Sequence, residues 1–323
     1  MLIATSVAFI YSDRLMPHVY RLTDARTQAQ LSVREPKPAE QMQTRVSCHR
    51  CPHEWFRADR KKHTHTDPIW SRIHDHQSDE PWGAVLDAGT GSGSLRFITQ
   101  LNTTRWSAVT ASRNMHSTLT QSFGAYIRPD DELLLMNWDR ADHPLKGRVF
   151  DVVLADYLLG AMDGFSPYRQ DQIFEWLGQY VGKRLYFVGK EPIPDLNLPL
   201  NGTKSSGGQL FLDSERLRDA CLLMAGERPY REYPSEWVLR TLERASFIVE
   251  GVWMFPIRYV GEAIDDQLRL CRNKLHKIRD PTLRSATLEA VKNLQHRVAT
   301  DPEAKAGFCF GMDYVIAARP AGK

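Results

Sequence analysis

The sequence predicts a doubly wound α/β fold: a seven-stranded, mostly parallel sheet with helices on both faces, plus helical insertions. Three observations point there. Short apolar runs alternate with helix-compatible stretches, the first run ends in an acid followed by a glycine-rich turn, and two longer segments interrupt the alternation after the fifth run.

The first run, Val85-Leu86-Asp87, reads as a strand, and Ala88-Gly89-Thr90-Gly91-Ser92-Gly93-Ser94 as the turn that carries it into a helix. A strand leaving a parallel sheet must turn sharply while its backbone N–H groups face a bound ligand. Glycine tolerates both the positive φ and the close approach this demands. A side chain at Gly89 or Gly91 would fill the ligand's place. A dinucleotide fingerprint would need a glycine at position 94, which is serine; the third glycine stands at 93.

The later elements come in the order such a sheet requires. Arg105–Ala111, Glu132–Met136, Val149–Ala155 and Arg184–Gly189 read as strands two to five, each apolar enough to be covered on both faces. Residues 94–102, 113–124 and 169–180 are helix-compatible. A sixth strand is expected at Ile248–Tyr259 and a seventh at Phe308–Ala318.

Asp87 followed by Gly89-x-Gly91-x-Gly93 resembles the first motif of the Rossmann-like class I S-adenosylmethionine-dependent methyltransferases. The resemblance spans about residues 83–260 and 306–320. It implies S-adenosyl-L-methionine as cofactor, methyl transfer to an oxygen, nitrogen or sulfur of an acceptor, and a closing strand antiparallel to its neighbours. In that family the loop, here Gly89, Thr90, Gly91 and Gly93, backs onto the methionine part of the cofactor, and Asp87 or its neighbours would receive the ammonium group. The third strand runs into Asn137-Trp138-Asp139, where the family often places an acid or amide for the adenine amino group and an apolar residue on the ring. Asp139 and Trp138 are the candidates there; the alternatives are a core or lid aromatic for Trp138 and a turn former for Asp139. The family's ribose-binding acid after the second strand is replaced by Thr110-Ala111-Ser112, so Ser112 would offer a single hydroxyl.

Open α/β sheets bind ligands beyond the carboxyl ends of their strands, which puts the acceptor beside Asp156 and Tyr157. These are the acid and the phenol expected to handle an acceptor proton; Asp156 also suits a cap. Bringing the nucleophile in line with the methyl group supplies much of the acceleration. The Asp/Asn-Pro-Pro-Tyr/Phe element of many base-modifying methyltransferases is absent from this position. Asp156 and Asp163 loosely resemble the paired carboxylates of protein arginine methyltransferases, whose later Thr-His-Trp signature is missing. A small-metabolite acceptor leads, a protein side chain is second and RNA third. The alternative of another class is a methyltransferase-like scaffold that binds without catalysis.

Two insertions are expected to set specificity. After Glu191-Pro192-Ile193-Pro194 a Gly/Ser/Asn-rich passage to Gly208 reads as a mobile loop, followed by a helix over 213–223, a polar corner at 228–234 and a helix from Ser235 to Arg244. Tyr168, Glu191, Arg218, Tyr230, Arg231 and Tyr233 are the candidate substrate contacts, arginine being suited to carboxylate or phosphate; a solvated corner with internal ion pairs is the alternative, for 218–233 above all. The second insertion, 261–305, reads as a helical hairpin broken at Asp280-Pro281, with Leu268, Cys271, Leu275 and Ile278 at helical spacing. It would cover the active site or form a homodimer contact. The cofactor domain would thus comprise residues 67–260 and 306–323, with 191–234 as the substrate-side insertion.

Composition bounds the rest. With 323 residues, 42% apolar and 25% charged, the chain can bury an ample core. No run approaches the roughly 18 apolar residues of a membrane span. The apolar start Met1–Ile10 lacks a basic region and a clear cleavage site, so a cytoplasmic protein is expected over a secreted one, with organelle targeting left open. Five cysteines without regular pairing suit a reducing compartment. Residues 1–66, an N-terminal extension, carry 11 Lys/Arg against 6 Asp/Glu, and the remainder 31 against 33, so the catalytic body lacks the basic footprint of a nucleic-acid binder. Cys48, Cys51, His53, His63, His65, His74 and His76 contain one C-x-x-C knuckle, but His-x-His is shorter than zinc sites use, and no metal is expected.

Overall fold

Successive side chains of a strand face opposite sides, so a run such as Val152-Val153-Leu154-Ala155 needs cover on both. The computed structural model describes residues 67–140, 144–193 and 205–322 and supplies that cover. The strands are β1 (Ala84–Asp87), β2 (Arg105–Thr110), β3 (Glu132–Leu135), β4 (Phe150–Asp156), β5 (Val181–Lys190), β6 (Phe247–Tyr259) and β7 (Phe308–Pro320). They form one seven-stranded sheet in the order β3-β2-β1-β4-β5-β7-β6. The first five are parallel to one another. β7 runs antiparallel to both β5 and β6, as the resemblance implies.

The two faces carry separate cores. Leu86, Val153, Ala155, Leu185, Phe187 and Ile316 pack under α4 (Leu158–Phe165), α5 (Ile173–Gly178) and α7 (Ser235–Arg244). Val85, Val152, Leu154, Tyr186, Val188 and Val315 pack under α1 (Pro68–Gln77), α2 (Ser92–Thr99) and α3 (Arg113–Phe123). Helix starts follow local chemistry: Asp67 accepts from the Ile69 N–H at 2.9 Å ahead of Pro68, and Ser112 caps α3 through the Met115 N–H at 3.2 Å. Such caps are each worth about 1 kcal/mol.

α6 (Ser206–Met224), α8 (Gly261–Lys274) and α9 (Pro281–Thr300) share a third core of Leu210, Phe211, Cys221, Ile264, Leu268, Cys271, Val291 and Leu294. The two insertions therefore build a single helical unit, where the sequence reading treats them separately. The break at Asp280-Pro281 is a helix start, Asp280 accepting from Thr282 N–H at 2.7 Å. Other differences have local causes. α6 begins seven residues earlier than the helix expected at 213, so Ser206–Gly208 are helical rather than loop. A Cβ on Gly207 or Gly208 would run into the rings of Phe308 and Phe310, and the glycines let α6 press onto β7. α1 and α4 are unanticipated: the apolar residues of α1 are few, and α4 contains two glycines. Gly160 and Gly164 stack one turn apart against Arg231 and Tyr230, so close packing overrides their poor helix propensity.

Among the described residues, no helix is long and apolar enough to cross a membrane, and no three His, Cys, Asp or Glu side chains are grouped to hold a metal. Residues 1–66, with Cys48, Cys51, His53, His63 and His65, lie outside the described residues, as does the passage 194–204. His76 is bonded to the Tyr186 hydroxyl at 3.0 Å and packs edge-on to Trp253.

Candidate functional site

The strand order reverses between β1 and β4, and the crevice beyond their carboxyl ends is where an open α/β sheet holds a ligand. The last residues of these neighbouring strands are Asp87 and Asp156. Asp87 is fully buried, and burial pushes its carboxyl up to about 6 against the opposing pull of the Thr90 and Ser94 hydroxyls and the Gly89 N–H. Asp156 is pushed well above the ordinary carboxyl range by burial and by the like charge of Asp87. Asp87 Oδ2 and Asp156 Oδ1 are the buried side-chain polar atoms without a hydrogen-bond partner among the described residues. A buried carboxylate oxygen without a donor is costly, so two on adjacent strands mark a place built to receive donors from elsewhere.

The loop between β1 and α2 is shaped to admit them. A Cβ on Gly91 or Gly93 would meet no atom within 4 Å, which leaves open space over the loop. A Cβ on Gly89 would sit 2.9 Å from Leu158 Cδ1, so this glycine lets α4 close in. None of the three has a positive φ; Gly91 is extended at φ −125°. The expectation that this turn needs left-handed backbone is therefore corrected: clearance is what its glycines provide. Thr90 is buried, its N–H bonded to Val109 O at 2.7 Å, which ties the loop to β2.

The residues after β2 and β3 are placed as supports. Trp138 is buried in the core, and its indole N–H donates to Ala88 O at 2.7 Å. It ties the glycine loop to the core, which is the core-aromatic alternative the sequence leaves open for it. Asn137 is also committed, donating to Phe165 O at 2.8 Å and accepting from Ser166 Oγ at 2.7 Å. Asp139 is exposed in the turn that follows β3. Ser112 spends its hydroxyl on the α3 cap.

Tyr157 opens α4 in a left-handed conformation, φ 46° and ψ 27°, which is uncommon for a bulky residue and tends to occur at sites. Burial, together with the nearby Asp313 carboxylate, pushes its phenol far above the ordinary value. A phenol held protonated is a donor, which leaves Asp156 as the group of the pair able to accept a proton. Asp313 of β7 is itself raised to about 6 by burial, with Tyr157 and Lys190 opposing. It lies directly across the β5–β7 ladder from Lys190. Asp313 and Lys190 are site residues that the sequence reading passes over, although a lone acid inside the apolar run Met312-Asp313-Tyr314-Val315 is itself a signal.

A cavity of about 670 Å³ opens beside this cluster, walled by the end of β5, by α6, by α8 and by the segment 227–232. Arg218, Tyr230 and Arg231 line it. Tyr168, Glu191 and Tyr233 are absent from its lining. Tyr168 is 79% exposed and stacks on Arg228. Glu191 accepts from the Ser235 N–H at 3.0 Å at the start of α7. Tyr233 packs tilted against Trp237, and its carbonyl accepts from the Tyr314 hydroxyl at 2.7 Å. Asp163 accepts from the Arg231 N–H at 2.8 Å and from Gln170 at 3.0 Å. It anchors the cavity's rim through both carboxylate oxygens.

No protein-family profile and no curated protein matches the chain. Solved structures with a similar backbone include a candidate methyltransferase from Bacillus halodurans, 12% identical at a TM-score of 0.49 over 78% of this chain and 98% of that one. The YcgJ protein of Bacillus subtilis is 14% identical at a TM-score of 0.47, over 79% and 99% of the two chains. The mycolic acid cyclopropane synthase CmaA1 is 13% identical at 0.42, over 82% and 93%. The likeness is one of fold.

Proposed function

We propose that the chain is an S-adenosylmethionine-dependent methyltransferase acting on a small-molecule acceptor. The observation that carries this reading is the pair of donor-less buried oxygens, Asp87 Oδ2 and Asp156 Oδ1, beside a glycine loop with open space above it. The residues fit the cofactor: Asp87 would receive its ammonium group, and the N–H groups and clearance of Gly89–Gly93 would accommodate its methionine part. Bound there, S-adenosylmethionine supplies a methyl group already activated on a sulfonium sulfur. The chain's own work is then to hold the acceptor and manage its proton. Asp156, whose carboxyl is raised well above its ordinary range by burial and by Asp87, is a stronger base than an ordinary carboxylate and is suited to take an acceptor's proton. Tyr157, its phenol kept protonated by burial and by the nearby Asp313 carboxylate, would offer a donor beside Asp156.

The cavity's volume falls within the range of small-ligand sites, about 300–1,000 Å³, which supports a metabolite over a protein side chain or RNA. Calorimetric titration with S-adenosylmethionine and S-adenosylhomocysteine tests the reading, with Gly91→Val as the steric control. Micromolar binding lost in a variant that unfolds at the wild-type temperature supports it. A wild-type chain that binds neither compound overturns it in favour of a non-catalytic scaffold.

A further inference from the structure

We infer that the 670 Å³ cavity beside β5 binds an acceptor carrying an oxyanion on an apolar body, with Lys190 as the cation that grips it and Glu232 alongside. The inference deepens the methyltransferase reading and rests on it for the word acceptor; the binding claim stands on the cavity alone.

Charge decides the ligand's sign. Six Lys or Arg side chains and four carboxylates line the cavity. Three of those carboxylates are already engaged: Glu215 and Asp219 hold Arg218 at 2.6 and 2.8 Å, and Glu227 holds Lys274 at 2.8 Å. The fourth, Glu232, is raised to about 7 by burial and so is neutral for part of the time at neutral pH. Lys190 belongs to none of the ion pairs among the described residues. Its ammonium lies 5.4 Å from the Phe211 ring centre and 5.7 Å from that of Tyr259, two rings stacked at 4.0 Å. Aromatic faces hold a cation in place without supplying the hydrogen bonds it can donate. The positive excess favours an anion, and Phe211, Leu212, Leu222 and Leu270 offer it an apolar wall.

Position decides relevance. Glu232 Oε2 comes within 3.5 Å of the point where a Cβ of Gly160 would stand, on α4. The same helix turns Leu158 toward Gly89 of the cofactor loop. The first turn of α4 thus meets the cavity residue Glu232 at Gly160 and the glycine loop at Leu158, while Lys190 of the cavity pairs across the β5–β7 ladder with Asp313.

Calorimetry of the full chain, saturated or not with S-adenosylhomocysteine, would use three probes: 3-phenylpropionate, phenyl phosphate and phenylethylamine. Binding of either anion in preference to the amine, weakened about tenfold or more by Lys190→Gln and restored by Lys190→Arg, is the expected result; which anion binds better separates carboxylate from phosphate acceptors. Glu232→Gln should keep or raise anion affinity, since it removes a carboxylate of the cavity lining that can repel. Equal or tighter binding of the amine, anion binding indifferent to Lys190→Gln, or no binding of any probe by a chain that does bind S-adenosylhomocysteine overturns the inference and leaves the cofactor reading intact. Anion binding by a chain that ignores S-adenosylhomocysteine does the reverse. Thermal unfolding of each variant guards against misfolding.

Discussion

Asp87→Asn should stabilise the ligand-free protein at alkaline pH while disabling it for the cofactor. Burial lifts the Asp87 carboxyl from an ordinary 3.8 to about 6, a penalty on the ionised form of roughly 3 kcal/mol. The folded state thus holds a proton that the unfolded state has released between about pH 4 and 6, so stability contributed by this group is full below that window and lost as the pH rises through it. Asn does not titrate. Relative to wild type, the variant should therefore gain about 1.4 kcal/mol on going from pH 5 to pH 8, the part of the penalty that falls in that interval. For a protein of this size that is a relative shift in Tm on the order of 2–3 °C, read by scanning calorimetry at the two pH values. In parallel, loss of a charged hydrogen bond to an ammonium group should weaken S-adenosylmethionine binding by about 10- to 100-fold. A Tm difference that is the same at both pH values, or larger at pH 5, would refute the claim that Asp87 is buried with its charge unmet.

Further expectations follow from the surrounding geometry. Gly89→Val should lower Tm measurably because its side chain strikes Leu158, whereas Gly91→Val, pointing into open space, should leave Tm within about 1 °C and abolish cofactor binding; equal destabilisation by the two would show that clearance is not their role. Trp138→Phe keeps the ring and deletes the bond to Ala88 O, so it should cost about 1–2 kcal/mol in urea unfolding and speed amide exchange in the glycine loop; a neutral result would mean the loop does not lean on the indole. Asp163→Ala releases the Arg231 N–H and Gln170 together, and hydrogen exchange should rise across 228–234 while the β-sheet amides stay protected. If the rim is unaffected, it is held by the α6 side instead.

Most of the sheet is readable in the sequence because strands covered on both faces must be apolar throughout, and Val152–Ala155 or Val315–Ala318 have no other plausible state. The glycine loop is readable for a similar reason, since few other needs place three glycines at two-residue spacing after an acid. What escapes is set by contacts between distant segments. α4 hides because Gly160 and Gly164 look like breakers until the segment carrying Arg231 and Tyr230 packs on them. Trp138 and Tyr157 can be picked out in the chain but their roles cannot, because the direction of an indole N–H and the surroundings of a phenol are tertiary facts. Asp313 and Lys190 are remote in sequence and meet only through the antiparallel insertion of β7 beside β5.

The helical unit draws α6 from before β6 and α8 and α9 from after it, so it is not a separable piece of chain. No single cut removes it, and no single graft replaces it: exchanging one segment would leave Phe211 and Cys221 facing strangers across the shared core. A change of acceptor preference achieved by remodelling this wall must alter two stretches of sequence in concert. Conversely, a molecule seated between α6 and α8 cross-links stretches on either side of β6, and its arrival would be felt along the length of that strand. The amides of β6 and β7 are therefore a built-in reporter of occupancy, usable without following any reaction.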